Sequence, residues 1–243
     1  ACIAGGVMAV YISMGVPASY LLAASLMAAP GALVISKIVF PETQESETKG
    51  TVKLEVKKQY TNIMDAISHG ATDGMTISIN VIAMLIGVIA LVALADALLG
   101  YFGLFLGWTG ISLDFIGLDV THLRLKDVFG AFFSLFAVVM GVPASESFTV
   151  GSLMGTKMVI NEFVAYSDLS PLIRQGALSA KSVIIASFAL CGFANFSSIA
   201  IQLGGIGAMV PNRKPDLARL GFKAMICGTM ASYVSASLAG ILM

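Results

Sequence analysis

Long uncharged runs alternate with short charged ones along this chain. No Asp, Glu, Lys or Arg falls within residues 1–36, Gly74–Ala95, Ser182–Asn212 or Ala224–Met243. A spanning helix needs about 20 mostly apolar residues, so each run is long enough to cross a bilayer. Residues 1–15 read as the end of a membrane helix, broken at Pro17, and Tyr20–Phe40 as a second helix carrying Pro30-Gly31. Membrane helices tolerate such breakers where neighbours satisfy the freed backbone groups. Pro41-Glu42-Thr43 ends it, and a charged, solvated loop follows over 41–60. Ile63, Met64, Ile67 and Ala71 then recur at helical spacing among Asp65, His69 and Asp73, which predicts an interfacial amphipathic helix over 61–77. A long membrane helix is expected from Ser78 to Leu106, interrupted by Asp96 and closed by an aromatic belt of Tyr101, Phe102, Phe105 and Trp108.

After a connection at 109–123, an apolar helix over 124–142 starts at Arg124, Lys126 and Asp127 and ends at Gly141-Val142-Pro143. Residues 144–169 break the pattern. They hold Glu146, Lys157, Glu162 and Asp168, too many charges for a lipid-facing span, yet they are too apolar for an ordinary loop. A re-entrant helical hairpin fits, because irregular backbone is tolerated at membrane depth where it lines a cavity. Its tip is expected near Val159–Asn161, leaving Glu162 at a helix N-terminus, where a negative charge is favoured. Ser182–Val210 carries Gly192, Asn195, Ser197, Ser198, Gly204, Gly205 and Gly207, the pattern of a discontinuous helix. A basic connector over Pro211–Lys223 leads to a last helix, Ala224–Met243, with small residues for close packing. The positive-inside rule puts that connector in the cytoplasm.

The fold class is therefore an all-α, polytopic integral membrane protein of the plasma membrane, the inner membrane if bacterial. A broken helix followed by a small-residue helix occurs twice, at 1–40 and at 182–243, which suggests half of an inverted-repeat transporter. The organisation expected is two helices of a first repeat (1–40), a polar loop and interfacial helix (41–77), a scaffold helix (78–108) and a second repeat (109–243). Residue 1 lies inside an apolar run without an initiator Met, so further helices and a polar hairpin are expected upstream.

Composition agrees with this class: 57% of residues are hydrophobic and 12% charged, against roughly 25% charged in soluble domains. Net charge is zero, and no basic block points to nucleic acid. Cys2, Cys191 and Cys227 sit in apolar runs without metal-ligand spacing and read as small buried hydrophobes. His69 and His122 are far apart in sequence and imply no metal site.

Glu162 is the leading candidate for chemistry, because an ionisable residue between apolar segments marks a functional site. A carboxylate facing an aqueous cavity can accept two hydrogen bonds from vicinal hydroxyls. The competing reading is an ion pair with Lys157 that only stabilises the hairpin. Asn195 and Ser198, within Gly192-Phe193-Ala194-Asn195-Phe196-Ser197-Ser198-Ile199, offer donors and acceptors three residues apart on one helix face. They could read sugar hydroxyls or merely join helices. Lys157 reads as a structural anchor, and Asp96 as a residue that snorkels or pairs rather than moving protons.

The run Gly155-Thr-Lys157-Met-Val-Ile-Asn161-Glu162-Phe163-Val164-Ala165-Tyr166 matches eight defined positions of a signature, G/A-x-K-x-x-x-N-E-F-V-A-Y/M/F. It resembles that of the concentrative nucleoside transporters. The resemblance extends through Gly5-Gly6-Val7, Met27–Gly31 and Pro41-Glu42-Thr43 to Arg213–Gly240. It implies that Glu162 binds ribose and helps couple transport to a cation. It also implies that Asn195 and Ser198 bind ribose, that Phe193 packs near the base, and that sodium is held by backbone carbonyls of an unwound stretch near Gly6-Val7. A family hydroxyl ligand is missing at Gly6, so sodium and protons both stay open as the coupling ion. No cofactor beyond that ion is implied. The expected function is a nucleoside:cation symporter working by alternating access, a homotrimer in membrane lipid with nucleoside as its partner. A nucleoside-binding channel or sensor is the alternative. A membrane-embedded enzyme lacks a catalytic constellation in the spans.

Overall fold

The computed structural model describes residues 3–43, 45, 50, 61–111 and 118–243. Cys2 and most of the 41–60 loop lie outside the described residues. Nine α-helices account for nearly everything described: α1 (Gly5–Ser13), α2 (Ala18–Val39), α3 (Ile63–Trp108), α4 (Leu125–Val139), α5 (Ala144–Val159), α6 (Glu162–Arg174), α7 (Ala180–Leu190), α8 (Phe196–Met209) and α9 (Lys214–Ile241). Three helical stretches are long and apolar enough to cross a membrane: Ala18–Val39, Ile63–Trp108 and Pro211–Ile241.

The breaks predicted from sequence are present. α1 stops before Pro17, two residues separate α5 from α6, and five separate α7 from α8. Pro30 is accommodated within α2. Three differences stand out. The interfacial helix of 61–77 and the span from Ser78 are one unbroken helix of 46 residues. At 1.5 Å per residue it extends about 70 Å, more than twice a hydrocarbon core. The polar first half has no Gly or Pro that must end a helix, and Asn62 caps it by accepting from the Asp65 amide at 2.9 Å. The basic connector is also helical: after a short 3₁₀ turn over Pro211–Arg213, α9 begins at Lys214. Finally, the second hairpin arm runs on to Arg174, five residues past the expected end.

A repeat that hydropathy does not reveal shapes two of the turns. Met14-Gly15-Val16-Pro17-Ala18-Ser19 recurs as Met140-Gly141-Val142-Pro143-Ala144-Ser145. Both copies end a helix in the same way. Gly15 (φ 102°) and Gly141 (φ 100°) adopt the left-handed conformation. The valine amides then reach back to the carbonyls of Tyr11 (3.2 Å) and Ala137 (3.0 Å), the pattern of a Schellman cap. Val16 and Val142 are buried. Each proline stands just before the next helix, where its missing N–H costs nothing.

Small residues set the helix contacts. α5 carries Gly151 and Gly155, spaced as in small-xxx-small packing, against Gly130 of α4. α3 crosses α8 where Gly204 meets the backbone of Asn80 and Val81. α2 and α9 are antiparallel: Gly31 lies beside Ala231, and the Lys223 ammonium sits 4.7 Å from the centre of the Phe40 ring at the other end. An inverted repeat would set these two helices in opposite directions. Asp96 of α3 accepts the Leu125 amide at 2.8 Å and so caps the start of α4, the pairing role expected of it.

The backbone contact at Gly155 yields a prediction. A Cβ there would lie 2.6 Å from the Gly130 amide nitrogen and 2.6 Å from the Lys126 carbonyl oxygen, neither of which can swing away. Gly155→Val should therefore destabilise the α4–α5 pair by about 1–3 kcal/mol or more. The full-length protein in detergent should melt several degrees lower; an unchanged melting curve would refute the close packing.

Candidate substrate and ion site

Four helix ends meet where α5 gives way to α6 and α7 to α8, and each free end needs a partner. Asn161 links α5 to α6. Its side chain accepts from the Val164 amide at 2.9 Å, so the hairpin tip restarts as a helix at Glu162. Asn195 does the same for α8, accepting from the Ser198 amide at 2.7 Å. The Ser198 hydroxyl completes the capping box from the other side, 3.1 Å from the Asn195 amide.

The two caps are joined. Asn195 Nδ2 donates to Glu162 Oε2 at 2.9 Å, and the Ser197 hydroxyl donates to the Ile160 carbonyl at 3.0 Å. Glu162 is 7% exposed and Asn195 1%. A buried carboxylate thus lies at the N-termini of both α6 and α8, where the helix dipoles favour negative charge. The structure brings Glu162, Asn195 and Ser198 together. Their polar atoms are already engaged with one another, so a ligand must share or replace these bonds. Phe193 and Ser198 line a cleft of about 320 Å³ between α8 and α9, with Gln202, Leu217 and Met225.

Lys157 does not pair with Glu162. Its fully buried ammonium donates to the Ala189 carbonyl at 2.8 Å, at the C-terminal end of α7. At the other end of α7, Glu146 Oε2 accepts from the Ser179 amide (3.1 Å) and hydroxyl (2.9 Å). α5 therefore supplies an acid to the N-terminus of α7 and a base to its C-terminus, the arrangement the helix dipole favours. Lys157 therefore acts on Glu162 through its nearby charge and not through a direct ion-pair contact.

The expected cation stretch differs from its prediction. Gly6 and Val7 are not unwound; they lie in the first turn of α1, which begins at Gly5. The free groups at that end are N–H donors, which suit an anion rather than sodium. Sequence reasoning also missed Ser197, Tyr11 and Tyr166. The Tyr166 hydroxyl donates to the Ser187 carbonyl at 2.7 Å, and its ring stacks on Tyr11 at 4.2 Å between centroids. Tyr166 stands four residues after Glu162, the helical signal that would have placed it on the same face. Among the described residues no cluster of His, Cys, Asp or Glu could hold a metal ion.

A carboxylate held between interrupted helices is the arrangement in which membrane transporters build their binding sites. Comparison then gives the family. A model described as "Na+ dependent nucleoside transporter C-terminus" matches residues 20–240, so the chain belongs to the Na+-dependent nucleoside transporter family. It is 44% identical to the uncharacterized transporter YutK of Bacillus subtilis over 98% of this chain and 56% of that protein. It is 39% identical to the nucleoside permease NupC of Helicobacter pylori, over 99% of this chain and 55% of that one. A doubly substituted CNTnw solved in an outward-facing state superposes with a TM-score of 0.82 at 42% identity, covering 99% of this chain and 55% of that one. CNTnw in an inward-facing substrate-bound state gives 0.72 at 43% identity, over 99% and 54%. The chain thus spans about half the length of the relatives it matches. The family is one of transporters, not enzymes.

The joined caps can be tested. Asn195→Ala removes the α8 cap and the amide on Glu162 together, and should cost about 1–3 kcal/mol. Asn195→Asp retains a capping oxygen but sets a second carboxylate beside Glu162, so it should cost at least as much. Thermal unfolding of the purified full-length protein reads both; an Asp variant more stable than the wild type would refute the Glu162 contact.

Proposed function

We propose that this chain forms part of a nucleoside:cation symporter that imports nucleosides by alternating access. One observation carries the reading: the buried Glu162 carboxylate, held at the N-termini of α6 and α8 and bonded to Asn195. Such a carboxylate can accept two hydrogen bonds from vicinal ribose hydroxyls, with Asn195 and Ser198 sharing the sugar's remaining groups. Phe193, half-buried on the α8–α9 cleft, would pack against the base. The relatives support the substrate class, since one is named a nucleoside permease and a rat relative a sodium/nucleoside cotransporter, 38% identical over 37% of its length.

Alternating access draws support from the better superposition on the outward-facing CNTnw structure, 0.82, than on the inward-facing one, 0.72. This chain resembles one end of that cycle more than the other. Sodium is the coupling ion we favour on the family's description, with protons as the alternative outcome of the test. The carbonyls of Gly6 and Val7 would coordinate it only if the first turn of α1 unwinds when the cation binds. α3 would serve as a static scaffold and the trimer surface: Gly103 alone is buried in its helix, and Ile79, Ile82, Ile86 and Ile89 face outward.

Uridine uptake by the full-length protein, in cells lacking nucleoside uptake and at fixed pH, tests the reading in sodium against choline medium. Accumulation above equilibrium that needs sodium is expected. Accumulation without sodium that collapses with the proton gradient would assign protons, and equilibration without accumulation would make the protein a channel. Glu162→Gln should raise the KM for uridine about tenfold or more, as the loss of charged hydrogen bonds demands; an unchanged KM would reject Glu162 as the ribose ligand.

A further inference from the structure

Tyr11 is completely buried, yet its hydroxyl has no hydrogen-bond partner. An orphaned buried hydroxyl is costly, and native proteins rarely leave one without a reason. Its neighbours give the reason. The Tyr11 ring stacks on Tyr166 at 4.2 Å and lies 6.4 Å from the Phe163 ring. Phe163 follows Glu162 directly, and Tyr166 lies one turn beyond it, so Tyr11 covers the start of α6. The Tyr11 phenol also lies within electrostatic reach of the Glu162 carboxylate. Its ring cannot rotate away, because Tyr166 is itself fixed by its bond to Ser187. α1 is held a turn further on as well, where the Ser170 hydroxyl donates to the Met14 carbonyl at 2.5 Å.

We propose that the Tyr11 hydroxyl is a further sugar-binding group, satisfied by a ligand hydroxyl at the Glu162 site. This rests on the ribose reading of Glu162 and adds a contact from α1, an element the signature run does not include. Glu162, Asn195 and Ser198 approach the ligand from the hairpin and from α8; Tyr11 approaches from the opposite repeat. A phenol can donate to one hydroxyl and accept from another, so it reads a specific hydroxyl of the sugar rather than charge. Binding by Tyr11 would then draw α1 into the response to substrate.

The experiment compares KM for uridine, 2′-deoxyuridine and 3′-deoxyuridine in the full-length protein and in Tyr11→Phe. The variant keeps the stacked ring and loses only the hydroxyl. The uridine KM should rise about tenfold, the size of one hydrogen bond, with the maximal rate little changed. For the one deoxy analogue that lacks the partner hydroxyl, the two proteins should agree within about twofold. Tyr233→Phe is the control: it removes another buried, unpartnered hydroxyl, one whose ring packs on Phe133 and Phe136, and should not change the ratios. An unchanged uridine KM in Tyr11→Phe, or an equal rise for all three nucleosides, overturns the proposal. Failure of Tyr11→Phe to reach the membrane also overturns it, since the hydroxyl would then be structural. Glu162→Gln run in parallel separates the two readings. No effect there sinks the Glu162 assignment, whereas an effect there beside none in Tyr11→Phe sinks only the tyrosine.

Discussion

Interrupting a helix inside a bilayer exposes backbone groups that no water can satisfy, and the rest of this structure follows from how those groups are met. The break between α7 and α8 is possible because Lys157 supplies a cation to the Ala189 carbonyl. It is also possible because Asn195 supplies a cap to the helix that restarts. The hairpin tip is possible because Asn161 caps α6 and Ser197 takes the Ile160 carbonyl. Lys157 stands eleven positions after Glu146, and α7 is 11 residues long, so one helix measures out the other and caps both of its ends. The candidate site is what remains at the centre once these demands are met.

Packing around this centre is close wherever the chain crosses itself. Gly130, Gly151 and Gly155 let α4 and α5 approach at backbone distance, which fixes the base from which the hairpin rises. The paired Gly-Val-Pro turns do similar work at the ends of α1 and α4, each burying a valine where the direction reverses. α3, in contrast, leaves most of its apolar surface uncovered. A long, sparsely packed helix beside a densely packed group of broken helices suits the scaffold role proposed for α3.

Much of this was legible in the sequence. Prolines and glycines at 17, 141–143 and 192 marked breaks because they act locally, through the backbone. Glu162, Asn195 and Ser198 stood out as polar residues in apolar runs, and the structure gathers them. Four features were hidden, for different reasons. The partner of Lys157 is a carbonyl 32 residues away, and no sequence pattern distinguishes one carbonyl from another. The fusion of 61–77 with the following span was obscured by a change in polarity, which alters where a helix sits but not whether it continues. The unwinding expected at Gly6-Val7 came from resemblance alone; two glycines permit it without requiring it. Tyr11 was overlooked because tyrosine in an apolar run is unremarkable until its hydroxyl is found without a partner.

The bond between Asn195 and Glu162 bears on the half of a transport cycle in which nothing is carried. A carrier must return empty, and a bare buried carboxylate would make that return costly in solvation energy. Here the protein's own amide occupies the carboxylate, and on the proposed ribose reading a sugar hydroxyl would take its place. Loading and unloading would then be an exchange of one hydrogen bond for another, in which the carboxylate is never left without a donor. Affinity would be set by the difference between two good partners, and would be modest enough for cargo to leave on the far side.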